Sequence, residues 1–319
     1  AAAIGIRVED YNNDQVLEDV NLLYSGVAHL DEDFWEQHDK QVDSWTEEGH
    51  TYHKISGEET RKWYPNQFIN IGGHQEFQAI VRENSSDGAL VEQVHHYYSE
   101  KQSIWGIRAR NQEQNFALNL LMDPEIDFVS LVGQAGTGKN FLALAAGLHQ
   151  TLDNKLYHEI IMTRATISVG EDIGFLPGTE EEKMAPWMGA LMDNLEVLTH
   201  NEEGGEWGKM ATNDLLSQRI KIRSMNFMRG RTFLNRYIII DEAQNLTSKQ
   251  MKTLITRAGP GTKIICLGNI AQIDTPYLTE TTSGLTFVVD RFRGWDHSGH
   301  VTLKRGERSR LADYAADVL

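Results

Sequence analysis

Residues 133–140 read GQAGTGKN, and the way this stretch is read decides the fold. The pattern G-x-x-x-x-G-K-[ST] describes a loop whose backbone N–H groups, together with the N-terminus of the next helix, face a phosphate. Gly133, Gly138 and Lys139 stand where that pattern needs them. Before the loop, DFVSLVG (127–133) is an apolar run of the kind that makes a buried strand. After it, KNFLALAAGLHQTL has helical composition. Strand, glycine loop and helix in that order are the context the motif requires. Gly133, Gln134, Ala135, Gly136, Thr137, Gly138 and Lys139 are therefore candidate nucleotide-binding residues, and Lys139 is also a catalytic candidate as the cation for the outer phosphates.

The last position breaks the pattern. A Ser or Thr hydroxyl there is a ligand for Mg²⁺, and this chain has Asn140. Asparagine offers a carbonyl oxygen on a longer arm with a competing amide. One expectation is that nucleotide binding survives while metal placement and turnover weaken. The alternative is that Asn140 reaches the metal directly or through water.

Downstream, RYIIID (236–241) reads as a buried strand that ends on an acid, and Glu242 follows. Asp241 is expected to hold Mg²⁺ through water, and Glu242 to orient or deprotonate the attacking water. The stretch LGNIAQID (267–274) follows another strand, TKIICLG (262–268). It would place Asn269 and Gln272 at the carboxyl edge of the sheet, where a glutamine can sense a γ-phosphate; a plain polar turn is the alternative. Beyond a last strand, HVTL (300–303), lie Arg305, Arg308 and Arg310. They are candidates for an arginine finger, in cis or from a neighbouring subunit, or else for a solvated helix start.

YHEIIMTR (157–164) is a further strand, and TSKQMKTLITRAG is an amphipathic helix capped by Thr247 or Ser248 and ended by Gly259. Alternating strands and helices imply a parallel sheet covered on both faces. Residues 1 to about 103 have another texture, acidic and rich in His and aromatics. FQAIVRE and ALVEQVHHYYS flank the turn signal NSSDG, and EDFWEQHDKQVDSW reads as helical or irregular. A small β-rich domain at 1–103 and an α/β domain at 104–319 are expected.

Composition narrows the classes. The chain has 319 residues, 40% of them apolar, so it can bury a sizeable core. No apolar run approaches the ~18 residues of a membrane span. The start lacks the basic segment and apolar run of a secretory signal, and without an initiator Met it reads as a piece of a longer chain. The single cysteine, Cys266, rules out an intrachain disulfide, fits a reducing cytosol and reads as a buried structural thiol. A net charge of −16 opposes bulk attraction to nucleic acid, so any such contact must come from local basic clusters. His50 and His53, and His95 and His96, lack partners at a metal-binding spacing.

Taken together, GIRARNQEQNFALNLL, GQAGTGKN, VGEDIGFLPGTEEEKMAPWM, FMRGRTF, IIIDEAQNLTSKQMKTLITR, GNIAQID and SGLTFVVDRF resemble the PhoH-like ATPases over roughly residues 104–319. FMRGRTF joined to IIDEAQN is the specific part. The resemblance implies a single RecA-like P-loop NTPase core, with a parallel sheet flanked by helices, related to superfamily 1 helicases. More narrowly, it implies the ATPase half of PIN–PhoH proteins, with the PIN endoribonuclease outside this sequence. It further implies ATP and Mg²⁺ as ligands, single-stranded RNA as partner, a cytoplasmic setting and a ring, with the hexamer expected. By the same resemblance Gln114 reads adenine, where a helix-surface glutamine is the alternative. Arg164 touches the nucleic-acid backbone, and Arg229 and Arg231 contact RNA or phosphate, or form intersubunit ion pairs. Ala165 stands where proline is expected after Thr163-Arg164, which would loosen that loop.

Overall fold

The computed structural model describes residues 16–38, 42–72, 76–165, 218–225, 228 and 230–306. The first part of the chain builds β1 (Val27–Leu30), α1 (Asp33–His38), β2 (Val42–Glu47), β3 (His50–Ile55), β4 (Phe68–Ile71), β5 (Phe77–Ser85) and β6 (Gly88–Gln93). The sheet order is β1-β4-β5-β6-β3-β2, with β1 parallel to β4 and every other pair antiparallel. Among its described residues, the acidic stretch read as helical or irregular is helix in α1 and strand in β2. The cross-strand neighbours explain this: Trp45 stacks on Tyr52 at 5.8 Å, and Ser44 Oγ lies 2.7 Å from His53 Nδ1. Glu48 and Gly49 both have positive φ, which gives the tight β2–β3 turn a twist that suits the strands.

The small sheet has two apolar faces. Ile69, Ile71, Ala79, Val81, Ala89 and Val91 pack under Phe34 and Trp63. Phe68 and Ile80 point the other way and join the core of the second unit. The bridge is α2 (Gln112–Met122), capped by the Asn111 side chain and buried along most of its length. Phe116 of α2 stacks on Phe68, centroids 4.3 Å apart. At the C-terminal end of α2, Asp123 takes Arg82 Nη1 at 2.6 Å, while Arg82 Nε donates to Glu92 at 2.6 Å. Lys263 Nζ donates to the carbonyls of Leu120 and Asp123 at 3.0 and 2.7 Å; its burial pushes the amine down to about 7. Gly26, at φ 82°, lets the chain pass from one sheet to the other, since a Cβ there would lie 1.8 Å from the His300 carbonyl oxygen.

The second sheet comprises β7 (Phe128–Gly133), β8 (Glu159–Arg164), β9 (Ile220–Ile222), β10 (Arg236–Asp241), β11 (Lys263–Gly268) and β12 (Ser298–Leu303). Its order is β12-β7-β11-β10-β8-β9, all parallel. Both faces are covered, as an all-parallel sheet requires. Helix α3 (Lys139–Leu148) packs with α2 on one face, and α4 (Ser248–Ile255) and α5 (Gly284–Phe292) pack on the other. Thr247 caps α4 through a reciprocal bond with Gln250. The helix ends at Ile255, before the expected Gly259, whose N–H instead donates to the Phe233 carbonyl. After β7 the chain crosses toward β8, and after β11 it returns to β12 on the far side. The carboxyl ends of β7 and β11 therefore flank a topological switch point.

Candidate nucleotide site

The glycine loop sits at that switch point. Gly136 and Gly138 take φ of 83° and 86°, a left-handed curl that L-residues resist, and Gly138 caps α3. A Cβ at Gly133 would lie 2.3 Å from the Leu303 carbonyl oxygen, so the strand end also has no room for a side chain. Lys139 Nζ folds back into the loop and donates to Gly133 O at 2.6 Å, Gln134 O at 2.8 Å and Thr137 Oγ1 at 3.2 Å. Thr137 is buried, while Gln134, Ala135 and Gly136 face solvent. The Asn140 side chain, in the first turn of α3, makes no hydrogen bond among the described residues.

Gln114 is no surface glutamine. It is 5% exposed; its Oε1 accepts from Arg110 N at 2.9 Å and its Nε2 donates to Thr137 O at 3.1 Å. The side chain braces the phosphate loop from α2, the helix that also carries Phe116.

At the end of β10 Asp241 is buried, and Glu242 turns the chain through φ 53°. Glu242 Oε1 accepts from Arg164 Nη2 at 3.3 Å, and its Oε2 accepts from Gln244 Nε2 at 2.6 Å. Arg164 ends β8 in register with Asp241. Gln244 is fully buried; its Nε2 also donates to Gln272 O at 2.9 Å, and its Oε1 accepts from Asn269 N at 3.1 Å. Gln272 thus enters the network by its backbone, with its side chain exposed. Gln244 was not singled out in the sequence; the only signal for it was its place two residues after Glu242. Ala165 donates its N–H to Asp241 O at 2.9 Å. A proline here could not make this bond, because it has no N–H to give; the loop beyond Ala165, where loosening was expected, lies outside the described residues.

Strands β7 and β10 both border β11, so the loop and the acidic pair share one sheet edge, about 10 Å apart by strand spacing. Among the described residues no cluster of three or more His, Cys, Asp or Glu is placed to hold a metal ion. A Mg²⁺ here would fit the mode in which one or two protein ligands share the ion with nucleotide phosphates, and Asp241 and Asn140 would be the residues to hold it. Arg231 lies exposed ahead of β10. Arg305 and Lys304 donate backbone N–H groups to Glu113 Oε2 at 3.1 and 2.7 Å, which ties the start of the basic run to α2. Arg229, Arg308 and Arg310 lie outside the described residues. Cys266 is buried beside Met251, and burial pushes its thiol up.

A parallel sheet with a glycine loop entering a helix at its switch point, and an acidic pair ending a nearby strand, defines a P-loop NTPase core of RecA type. The family model described as PhoH-like protein matches residues 106–317, more than half of the chain. The chain belongs to that family. It is 40% identical to protein PhoH2 of Bacillus subtilis over 323 aligned residues, covering 100% of this chain and 69% of that protein. It is 29% identical to protein PhoH2 of Mycolicibacterium smegmatis, covering 99% of this chain and 72% of that protein. Against protein PhoH2 of Thermobispora bispora it is 36% identical, covering 68% of this chain and 48% of the relative. Among solved structures, the Pif1 helicase from Candida albicans aligns at a TM-score of 0.33 with 16% identity, over 66% of this chain and 43% of that one. The fold assignment rests on the strand order above. Among the described residues no helix is long and apolar enough to cross a membrane.

Proposed function

We propose that this chain is an ATP-hydrolysing motor that acts on single-stranded RNA. Residues 104–319 would form the ATPase unit and 1–103 an accessory domain. The observation that carries the reading is the carboxyl edge of the parallel sheet. There Lys139 and the braced loop share one edge with Asp241 and Glu242, one strand between them, and Glu242 is joined by side-chain contacts to Arg164 and Gln244. In this reading residues 133–140 hold the phosphates, and Gln114 meets the adenine with the amide hydrogen its loop contact leaves over. Asp241 and Asn140 hold Mg²⁺, which when bound neutralises phosphate charge. Glu242 orients the water for in-line attack, and Gln272 reports on the γ-phosphate. Arg308 and Arg310 stabilise the transition-state charge from a neighbouring subunit of a closed ring, a hexamer. Arg164, Arg229 and Arg231 meet the RNA backbone. A PIN endoribonuclease unit would precede this part of the chain in a cytoplasmic protein.

The test is the ATPase rate with single-stranded RNA titrated in: stimulation is expected, and a rate that ignores RNA at every concentration would remove the motor. Asn140 favours one further reading, a nucleotide-binding regulatory module that turns over slowly. Comparison with Asn140→Thr separates the two. We expect the threonine variant to hydrolyse several-fold faster at limiting Mg²⁺; equal rates and equal Mg²⁺ dependence would discard the module.

A further inference from the structure

Both carboxylate oxygens of Glu242 are engaged, and the two contacts differ in kind. Oε2 meets Gln244 Nε2 at 2.6 Å, and Gln244 is itself fully buried and bonded to Gln272 O and Asn269 N. That side is fixed. Oε1 meets Arg164 through one nitrogen at 3.3 Å, with the two side chains 36% and 32% exposed. A single-contact pair at this exposure is weak and open to competition from a stronger anion. A phosphate diester is such an anion, and it takes a guanidinium through two oxygens at once. An oxygen already accepting from a guanidinium is also poorly placed to accept from a water. The backbone beneath is anchored: Arg164 is in register with Asp241, and Ala165 N donates to Asp241 O at 2.9 Å. Displacement of Arg164 would therefore be a side-chain swing rather than a loop movement.

We propose that Arg164 restrains Glu242 and that an RNA backbone phosphate, by engaging Arg164, frees Glu242 Oε1 for the attacking water. Gln244 is the pivot: a positioning residue that keeps the released carboxylate at the sheet edge and ties it to the 267–274 loop. This rests on the reading of the chain as an RNA-stimulated ATPase. It adds the switch by which RNA and hydrolysis are coupled within one subunit.

The experiment measures ATP hydrolysis by the full chain at saturating ATP and Mg²⁺, with and without single-stranded oligouridylate, for the parent, Arg164→Ala and Arg164→Lys. For Arg164→Ala we expect an RNA-free rate about fivefold above the parent, the factor equivalent to one partly exposed ion pair, and little further stimulation by RNA. Arg164→Lys keeps the charge but loses the guanidinium fork, so its RNA-free rate should fall between those of the parent and the alanine variant; an RNA-free rate at the alanine level would overturn restraint by charge. If the alanine variant does not fold, Arg164→Gln makes the same comparison with a side chain of similar reach. A parent stimulated by RNA, with an Arg164→Ala variant that is no faster without RNA and still stimulated, overturns the switch and leaves the motor standing. A parent indifferent to RNA overturns release by RNA together with the motor. Gln244→Leu should lower kcat with RNA present while leaving KM for ATP in place; a change confined to KM would overturn the pivot.

Discussion

Among the described residues the two sheets have six strands each and opposite characters. In the large one, β7 and β11 are buried at every residue, and β10 at all but its first. In the small one, β4 and β6 are largely buried and β5 is buried over its first half, but β2 is exposed along nearly its whole length. The difference follows from connectivity. Crossover helices cover both faces of a parallel sheet, while hairpins leave faces and edges open. The large sheet can therefore end its strands in a sheltered row of polar groups, and all the described catalytic candidates stand on that row. The small sheet is joined to the row through α2, whose Phe116 meets Phe68 and whose Gln114 braces the phosphate loop.

The junction is where this contrast is easiest to break. Phe116→Ala removes a ring stacked within a fully buried core and should destabilise the chain by about 4 kcal/mol, seen as a lower midpoint in chemical unfolding. Because α2 braces the loop, ATP-analogue affinity should fall with it; unchanged affinity would separate the small sheet from the site. Next in size is Lys139→Ala, expected to cut turnover about a hundredfold while leaving the unfolding midpoint in place. A parent-like rate would mean that the large sheet's edge is not the site.

An effect confined to acid pH, and absent at neutral pH, comes from His300 on β12. It is buried against Ser130 and Thr302, and burial pushes its ring down to about 3. The unfolded ring titrates near the ordinary value of about 6.5 and the folded one lower, so the unfolded state binds more protons in between. Stability from this group is full above about pH 6.5 and falls toward pH 3 by about 1.4 kcal/mol per pH unit. His300→Gln should flatten that slope in urea unfolding measured across the window. The least effect is expected at the open edge of the small sheet: Trp45→Ala should change stability by less than about 0.5 kcal/mol and leave ATP turnover alone. A large loss of activity there would give the small sheet a direct part in function.

Much of the large sheet was legible because its rules are local. RYIIID and KIICLG are apolar runs bounded by turns, and they became β10 and β11 almost residue for residue. The loop was legible because its glycines answer a backbone demand that only glycine meets. The small sheet was harder. Its β2 lies in an acidic stretch with little apolar alternation, and its strand state comes from pairing with β3 along its whole length. Strand β9 is three residues long and carries no periodicity to detect.

The sequence alone determined that a phosphate loop, a strand ending in Asp241 and Glu242, and alternating strands and helices occur together, since each is set by residues close along the chain. Only the tertiary structure decided what those residues touch. Gln114 reaches Thr137 across 23 positions and Arg164 reaches Glu242 across 78. No local propensity specifies such pairs. They exist because burial of two apolar faces fixes the strand order, and the strand order brings these side chains to one edge.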